Sequence, residues 1–213
     1  MKNIIDKYLN DKIKLDKYQK LSLLCLMIVI SGTFGWIYEY IFYFFNGGMK
    51  EFYMQGGNFL PWINIYAYGA ILIYLLTKKH KKSPLKVFLI SLISTGILEY
   101  ISGLVIYKLF DGLRLWDYNK EILNFGNIGG FICLRSVLFF GLSGLILVYF
   151  IIPTCTYIIK KYNSKSFFKV CAFTCFIFLF DEVYNLIIAR ILNTPIASEV
   201  YKNLGFKYVS FKK

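Results

Sequence analysis

The sequence predicts an all-α fold: an integral membrane helix bundle of about five transmembrane helices, with a re-entrant or interfacial segment between helices three and four. Three observations predict it. Hydrophobic residues make up 57% of the 213 residues and mean hydropathy is +0.54, more apolar matter than a water-soluble domain can bury. Five stretches meet or approach the roughly 20 apolar residues that a helix rising about 1.5 Å per residue needs to cross the hydrocarbon. Lysine and arginine collect in alternate connections between those stretches.

The first stretch, 21–45, is too long for a cleaved leader, lacks a small-x-small cleavage site and carries Glu39, so it is expected to stay as a signal anchor. The others are 59–77, 85–107, 131–152 and 167–192. Residues 1–20 space Ile4, Ile5, Tyr8, Leu9, Ile13 and Tyr18 loosely at helical intervals among lysines. That pattern fits either a helix lying on anionic headgroups or a solvated tail. The expected division is thus a basic interfacial segment (1–20), a transmembrane bundle (21–192) and a short tail (193–213). Residues 108–130 are too polar to cross and too aromatic for a plain linker, and are expected to dip back where protein or water satisfies the backbone. Within them, Trp116-Asp117-Tyr118 is expected to cover the outward end of the bundle.

Orientation follows from the basic residues. The N-terminal segment, the 78–86 connection and the 160–169 connection hold fifteen, while Lys50, Lys108, Arg114 and Lys120 are the four of the alternate connections. Fifteen against four predicts a cytoplasmic N-terminus, and five crossings then put the C-terminus outside, against the mild pull of Lys202, Lys207, Lys212 and Lys213.

Net charge is +13, but the cations are dispersed between apolar runs and no nucleic-acid-binding signature accompanies them, so nucleic acid is not an expected partner. The five cysteines lie in or beside apolar stretches without a Cys-x-x-Cys, and His80 is the single histidine, so no zinc site is expected. Cys171 and Cys175 read as small packing residues one turn apart.

Ionisable side chains at membrane depth cost about 2.5–3.5 kcal/mol each on insertion scales, so each needs a partner or a wet site. Glu39, Glu99, Arg135, Asp181 and Glu182 fall inside the apolar stretches. At helical rise, Glu39 lies roughly 27 Å and Glu99 and Asp181 roughly 21 Å from the inner ends of their helices, while Arg135 lies near an outer end. All five are expected to converge on the outer half, in a polar chamber that opens outward. Ser91, Thr95, Glu99 and Gly103 recur every four residues, and Gly32, Gly35 and Glu39 share a face, giving small stripes on which helices approach closely. Glu39 and Glu99 are expected to face each other, with Arg135 paired to one of them. A single ion pair fixing helix register is the blander alternative, but one cation cannot satisfy four carboxylates.

Several short runs together resemble a bacterial membrane-protein family, the ABC-transporter type IV, or CmpB-like, permeases. They are Gly35-Trp36-Ile37-Tyr38-Glu39; Pro61, Tyr66 and Gly69; Glu99-Tyr100; Trp116-Asp117-Tyr118 and Asn127; and Arg135-Ser136 with Gly141. The resemblance covers Phe34 to about Lys160. Asn64 stands near the place where that pattern often carries a second proline. The resemblance implies a permease-type subunit in a bacterial cytoplasmic membrane. The chain has no G-x-x-x-x-G-K-[ST] phosphate loop, so ATP-driven transport requires a separate ATPase subunit.

Two main function classes follow. In the first, a transporter or permease-type subunit, a substrate or proton pathway is lined by Glu39, Glu99 and Arg135 with Asp117, Tyr38, Trp116, Asn127, Asp181 and Glu182. An ATPase or a second copy of the chain is its expected partner beside the lipid bilayer. In the second, an intramembrane metal-dependent enzyme acts on a lipid or isoprenoid headgroup, with Glu39, Glu99 and Asp117 binding Mg²⁺ or Ca²⁺ or exchanging protons. A membrane sensor or assembly factor is the third alternative. Cofactor and substrate are unassigned by the sequence.

Overall fold

The computed structural model describes residues 2–46, 53–54 and 56–208, so Lys50, Lys212 and Lys213 of the charge argument lie outside the described residues. Apart from one two-residue parallel pairing of β1 (Tyr53–Met54) with β2 (Lys207–Tyr208), the regular structure described is helical. The helices are α1 (Lys2–Leu9), α2 (Lys17–Asn46), α3 (Asn64–Thr77), α4 (Pro84–Leu109), α5 (Leu134–Ile146), α6 (Ile152–Lys161), α7 (Ser164–Val183), α8 (Ala189–Leu192) and α9 (Ala197–Asn203). A π turn, Leu147–Ile151, joins α5 to α6, and another, Tyr184–Ile188, joins α7 to α8. The first precedes Pro153, whose ring would clash with the carbonyl four residues back, and the wider turn relieves that clash.

Among the described residues, four helical segments are long and apolar enough to cross a membrane: Lys17–Phe45, Pro84–Leu109, Leu134–Lys161 and Ser164–Leu192. A reciprocal cap sets the start of α2: Gln19 N donates to Asp16 Oδ1 (2.9 Å) and Asp16 N to Gln19 Oε1 (3.2 Å). At the start of α7, Asn163 Oδ1 accepts from Ser166 N at 3.2 Å. The α4 helix has two faces. Ser91, Thr95, Glu99 and Gly103 are buried, whereas Ile93, Ile97, Ile101 and Val105 are exposed. Large apolar side chains turned outward suit a lipid surround.

The 59–77 stretch departs from its expected form, since its helix covers only Asn64–Thr77. Those 14 residues rise about 21 Å, short of the ~30 Å hydrocarbon core. Pro61 and the extended Ile63 precede it, and Ile63 N donates to Gly32 O at 3.0 Å, halfway along α2. A Cβ on Gly32 would meet Trp62 at 2.8 Å, and one on Gly35 would meet Tyr66 at 2.1 Å. The start of α3 therefore lies against the middle of α2. From there α3 runs antiparallel to α2, and Ala70 and Ile73 join Leu23, Met27, Val87, Leu147, Val148 and Ile152 in the buried apolar core. Among the described residues, no fifth long helix stands beside α2 in the half of the bundle beyond the start of α3, and there a cavity opens.

Candidate functional site

The cavity has a volume of about 310 Å³, and its walls come from α2, the start of α3, α4, α5, the 113–121 connection and the segment from Asn185 to Lys202. Three carboxylates, Glu99 and Glu121 buried and Glu39 half-buried, reach it from different elements. Glu39 comes from α2, where glycine at 35 lets α3 close in until Tyr66 Oη donates to Glu39 Oε1 at 3.2 Å. Glu99 comes from the small-residue stripe of α4 and accepts from Ser136 Oγ at 2.8 Å and from Tyr118 Oη. Glu121, in the connection between α4 and α5, accepts from Tyr43 Oη at 3.0 Å and from Arg135 Nη2.

Arg135 stands in the first turn of α5, its guanidinium 4.1 Å from the centre of the Phe42 ring and 5.5 Å from that of Tyr118. Its partner is Glu121 rather than the expected Glu39 or Glu99, because the 113–121 connection folds back across the ends of the helices and delivers a carboxylate first. Its Nε is buried without a hydrogen bond. Burial pushes the Glu121 carboxyl above the ordinary range, while Arg135 and Tyr43 pull it back. Burial also raises the Tyr118 phenol far above its ordinary range, with Glu99 adding to the shift, so Tyr118 remains a proton donor.

The remaining candidates divide. Tyr38 lines the cavity, its ring stacked on Phe139 with centroids 3.5 Å apart. Trp116 lines it too, donating from Nε1 to Phe131 O at 2.9 Å and packing on Gly103. Asp117 is buried but faces its own loop: it accepts from Asn119 N (3.2 Å) and Nδ2 (2.8 Å) and lies 3.5 Å from Arg114. Asn127 braces the same loop, donating to Asn119 Oδ1 and accepting from Gly130 N, both at 2.8 Å.

Asp181 and Glu182 stand outside the cavity wall. Asp181 accepts from the backbone N–H groups of Phe59 (3.0 Å) and Leu60 (2.8 Å) and from Asn185 Nδ2 (2.8 Å), which fixes the segment that leads into α3. Glu182 accepts from Tyr68 Oη on α3. Of the five ionisable residues in the apolar stretches, three thus meet at the cavity and two hold α3 and its approach. Among the described residues, no group of three or more His, Cys, Asp or Glu side chains is placed to hold a metal ion.

Sequence reasoning missed Glu121 and Tyr43. Both carry a polar atom into the cavity from aromatic surroundings, and the one available signal for Glu121 was a lone acid in a connection bracketed by Trp116-Asp117-Tyr118 and Arg135.

Long apolar helices around a charged cavity define a multi-pass membrane protein of permease-like type. The chain belongs to the family described as "Putative ABC-transporter type IV", whose model matches residues 26–186, well over half of the sequence. The match runs beyond Lys160 and takes in most of the fifth apolar stretch, more of the chain than the short motifs cover. No curated protein and no solved structure matches the chain.

Proposed function

We propose that the chain is the membrane-spanning subunit of a transporter and that the cavity is the outward-opening chamber of its route. One observation carries this reading: a cavity of about 310 Å³ brings Glu39, Glu99, Glu121 and Arg135 together in the half of the bundle that α3 leaves open. A structural ion pair needs no such space. Charged groups kept beside a void at membrane depth suit a passing solute or proton.

In this reading α3 and the segment before it make the second of five crossings, as the broken helices of transporters do where irregular backbone lines a cavity. The basic residues of 1–20, 78–86 and 160–169 face the cytoplasm, residues 1–20 lie on the inner surface of the cytoplasmic membrane, 21–192 form the bundle and 193–213 the tail. Trp116 and Tyr118 lie over the chamber as its cover. An ATPase docks on the cytoplasmic side, or a second copy of the chain completes the route; copurification with an ATPase supports the first.

The test is labelling of single-cysteine additions in intact cells with an impermeant thiol reagent, above the background of the native cysteines. Lys120→Cys and the cavity-lining Leu115→Cys should react and Lys82→Cys should not. Reaction of Lys82→Cys alone overturns the reading.

A further inference from the structure

The three carboxylates of the cavity are not equally satisfied. Glu121 has a guanidinium and a phenol, and Glu99 has a phenol and a serine hydroxyl. Glu39 has the single hydrogen bond from Tyr66, on Oε1, and Oε2 has no protein donor among the described residues. Of the four basic side chains in the cavity wall, Arg114, Arg135, Arg190 and Lys202, Arg135 is the one in an ion pair with these carboxylates among the described residues, and its partner is Glu121. Two of the others are engaged elsewhere. Arg114 is spent on Gly129 O and Asp117, and the Arg190 guanidinium lies 5.0 Å from the centre of the Phe110 ring.

Around Glu39 the wall is aromatic: Tyr38, Phe42, Tyr43, Tyr66 and Phe139 all line the cavity. Carboxylate and aromatic walls together recognise an organic cation, which ring quadrupoles attract and which needs no ligand cage. A divalent metal would need several oxygen ligands at about 2.0–2.6 Å, an arrangement the described side chains lack. Arg135 already shows the mode within the same cavity, as a cation held between Glu121 and the ring of Phe42.

We propose that the cavity binds a solute carrying an ammonium group, with Glu39 as its counter-ion and Tyr38, Tyr43, Tyr66 and Phe139 as the surrounding wall. The proposal rests on the reading of the cavity as a solute chamber and names the class of solute. Anionic and uncharged solutes of the same size are disfavoured, because they bring no positive charge to Glu39.

Purified protein in nanodiscs is titrated with methylammonium, choline and tetraethylammonium, and with inorganic phosphate and Mg²⁺, by calorimetry. Saturable binding of at least one ammonium compound is expected, weakened about ten-fold or more by Glu39→Gln. Should Glu39→Gln fold poorly, Leu115→Cys gives a second reading, since the bound ammonium compound should slow its labelling. Binding of phosphate or Mg²⁺ alone, binding of no probe, or equal binding by wild type and Glu39→Gln overturns the proposal. If Leu115→Cys is reachable from outside and no ammonium compound binds, this inference fails and the transport reading stands. If Leu115→Cys is unreachable and an ammonium compound binds, the transport reading fails and the inference stands.

Discussion

Replacing Arg135 with methionine keeps most of the packing over Phe42 and deletes the charge that Glu121 faces. The Arg135 and Glu121 side chains are 15% and 5% exposed, so neither single substitution leaves the survivor much access to water. Arg135→Met and Glu121→Gln should each cost about 3–5 kcal/mol, the penalty of stranding one member of a buried pair. The double variant should cost less than the sum by about 0.5–3 kcal/mol, because the stranded charge is gone. Denaturation of the four proteins in detergent measures this, and strict additivity would mean that the two side chains do not hold each other. Glu39 behaves differently at this scale. Among the described residues it has no ion-pair partner to lose, and it lines the cavity.

Among the elements, α3 decides where the space lies. Its start is seated on glycine, with Tyr66 stacked on Phe140 at 5.1 Å between ring centres and so unable to retreat. Gly35→Ala would place a methyl group 2.1 Å from Tyr66 Cδ2 and should destabilise the protein by about 1–3 kcal/mol through overpacking. Adding Tyr66→Leu should recover part of that loss in the same thermal-unfolding measurement; a Gly35→Ala protein as stable as wild type would mean the helices are not in close contact there. The four long helices were legible in the sequence because length and hydropathy suffice to mark them. The shortness of α3 was not. Phe59 to Ile63 is as apolar as the helix it precedes, and its irregular path is fixed by Asp181 from over a hundred residues away. Glu39 and Glu99 were legible as acids where acids are costly. The choice of Glu121 as partner to Arg135 depends on how a connection folds back, which no periodicity encodes.

The molecule as a whole is closed at one end and hollow at the other. At the closed end Lys81, 6% exposed, donates to Tyr8 O and to Asp11 Oδ1, each at 2.6 Å, and ties α1 to the turn before α4. Hydrogen bonding to Lys81 and its charge hold the Asp11 carboxyl below its usual range. A group depressed in the folded state adds stability above its unfolded pKa of about 3.9, and that stability is lost as pH falls through the lower folded value. Amide exchange in α1 should therefore quicken over that acid range in wild type, while Asp11→Asn should exchange faster already at neutral pH and lose the acid dependence. Unchanged exchange in the variant would release α1 from this tie. None of the residues in the apolar core, from Leu23 to Ile159, lines the cavity. That separation divides the mutational burden: on the proposed reading, the side chains that select a solute are not the ones that keep the helices together. Descendants of one ancestral bundle can therefore exchange the residues around Glu39 for others, trading one cargo for another, while the scaffold beneath them goes on folding unaltered.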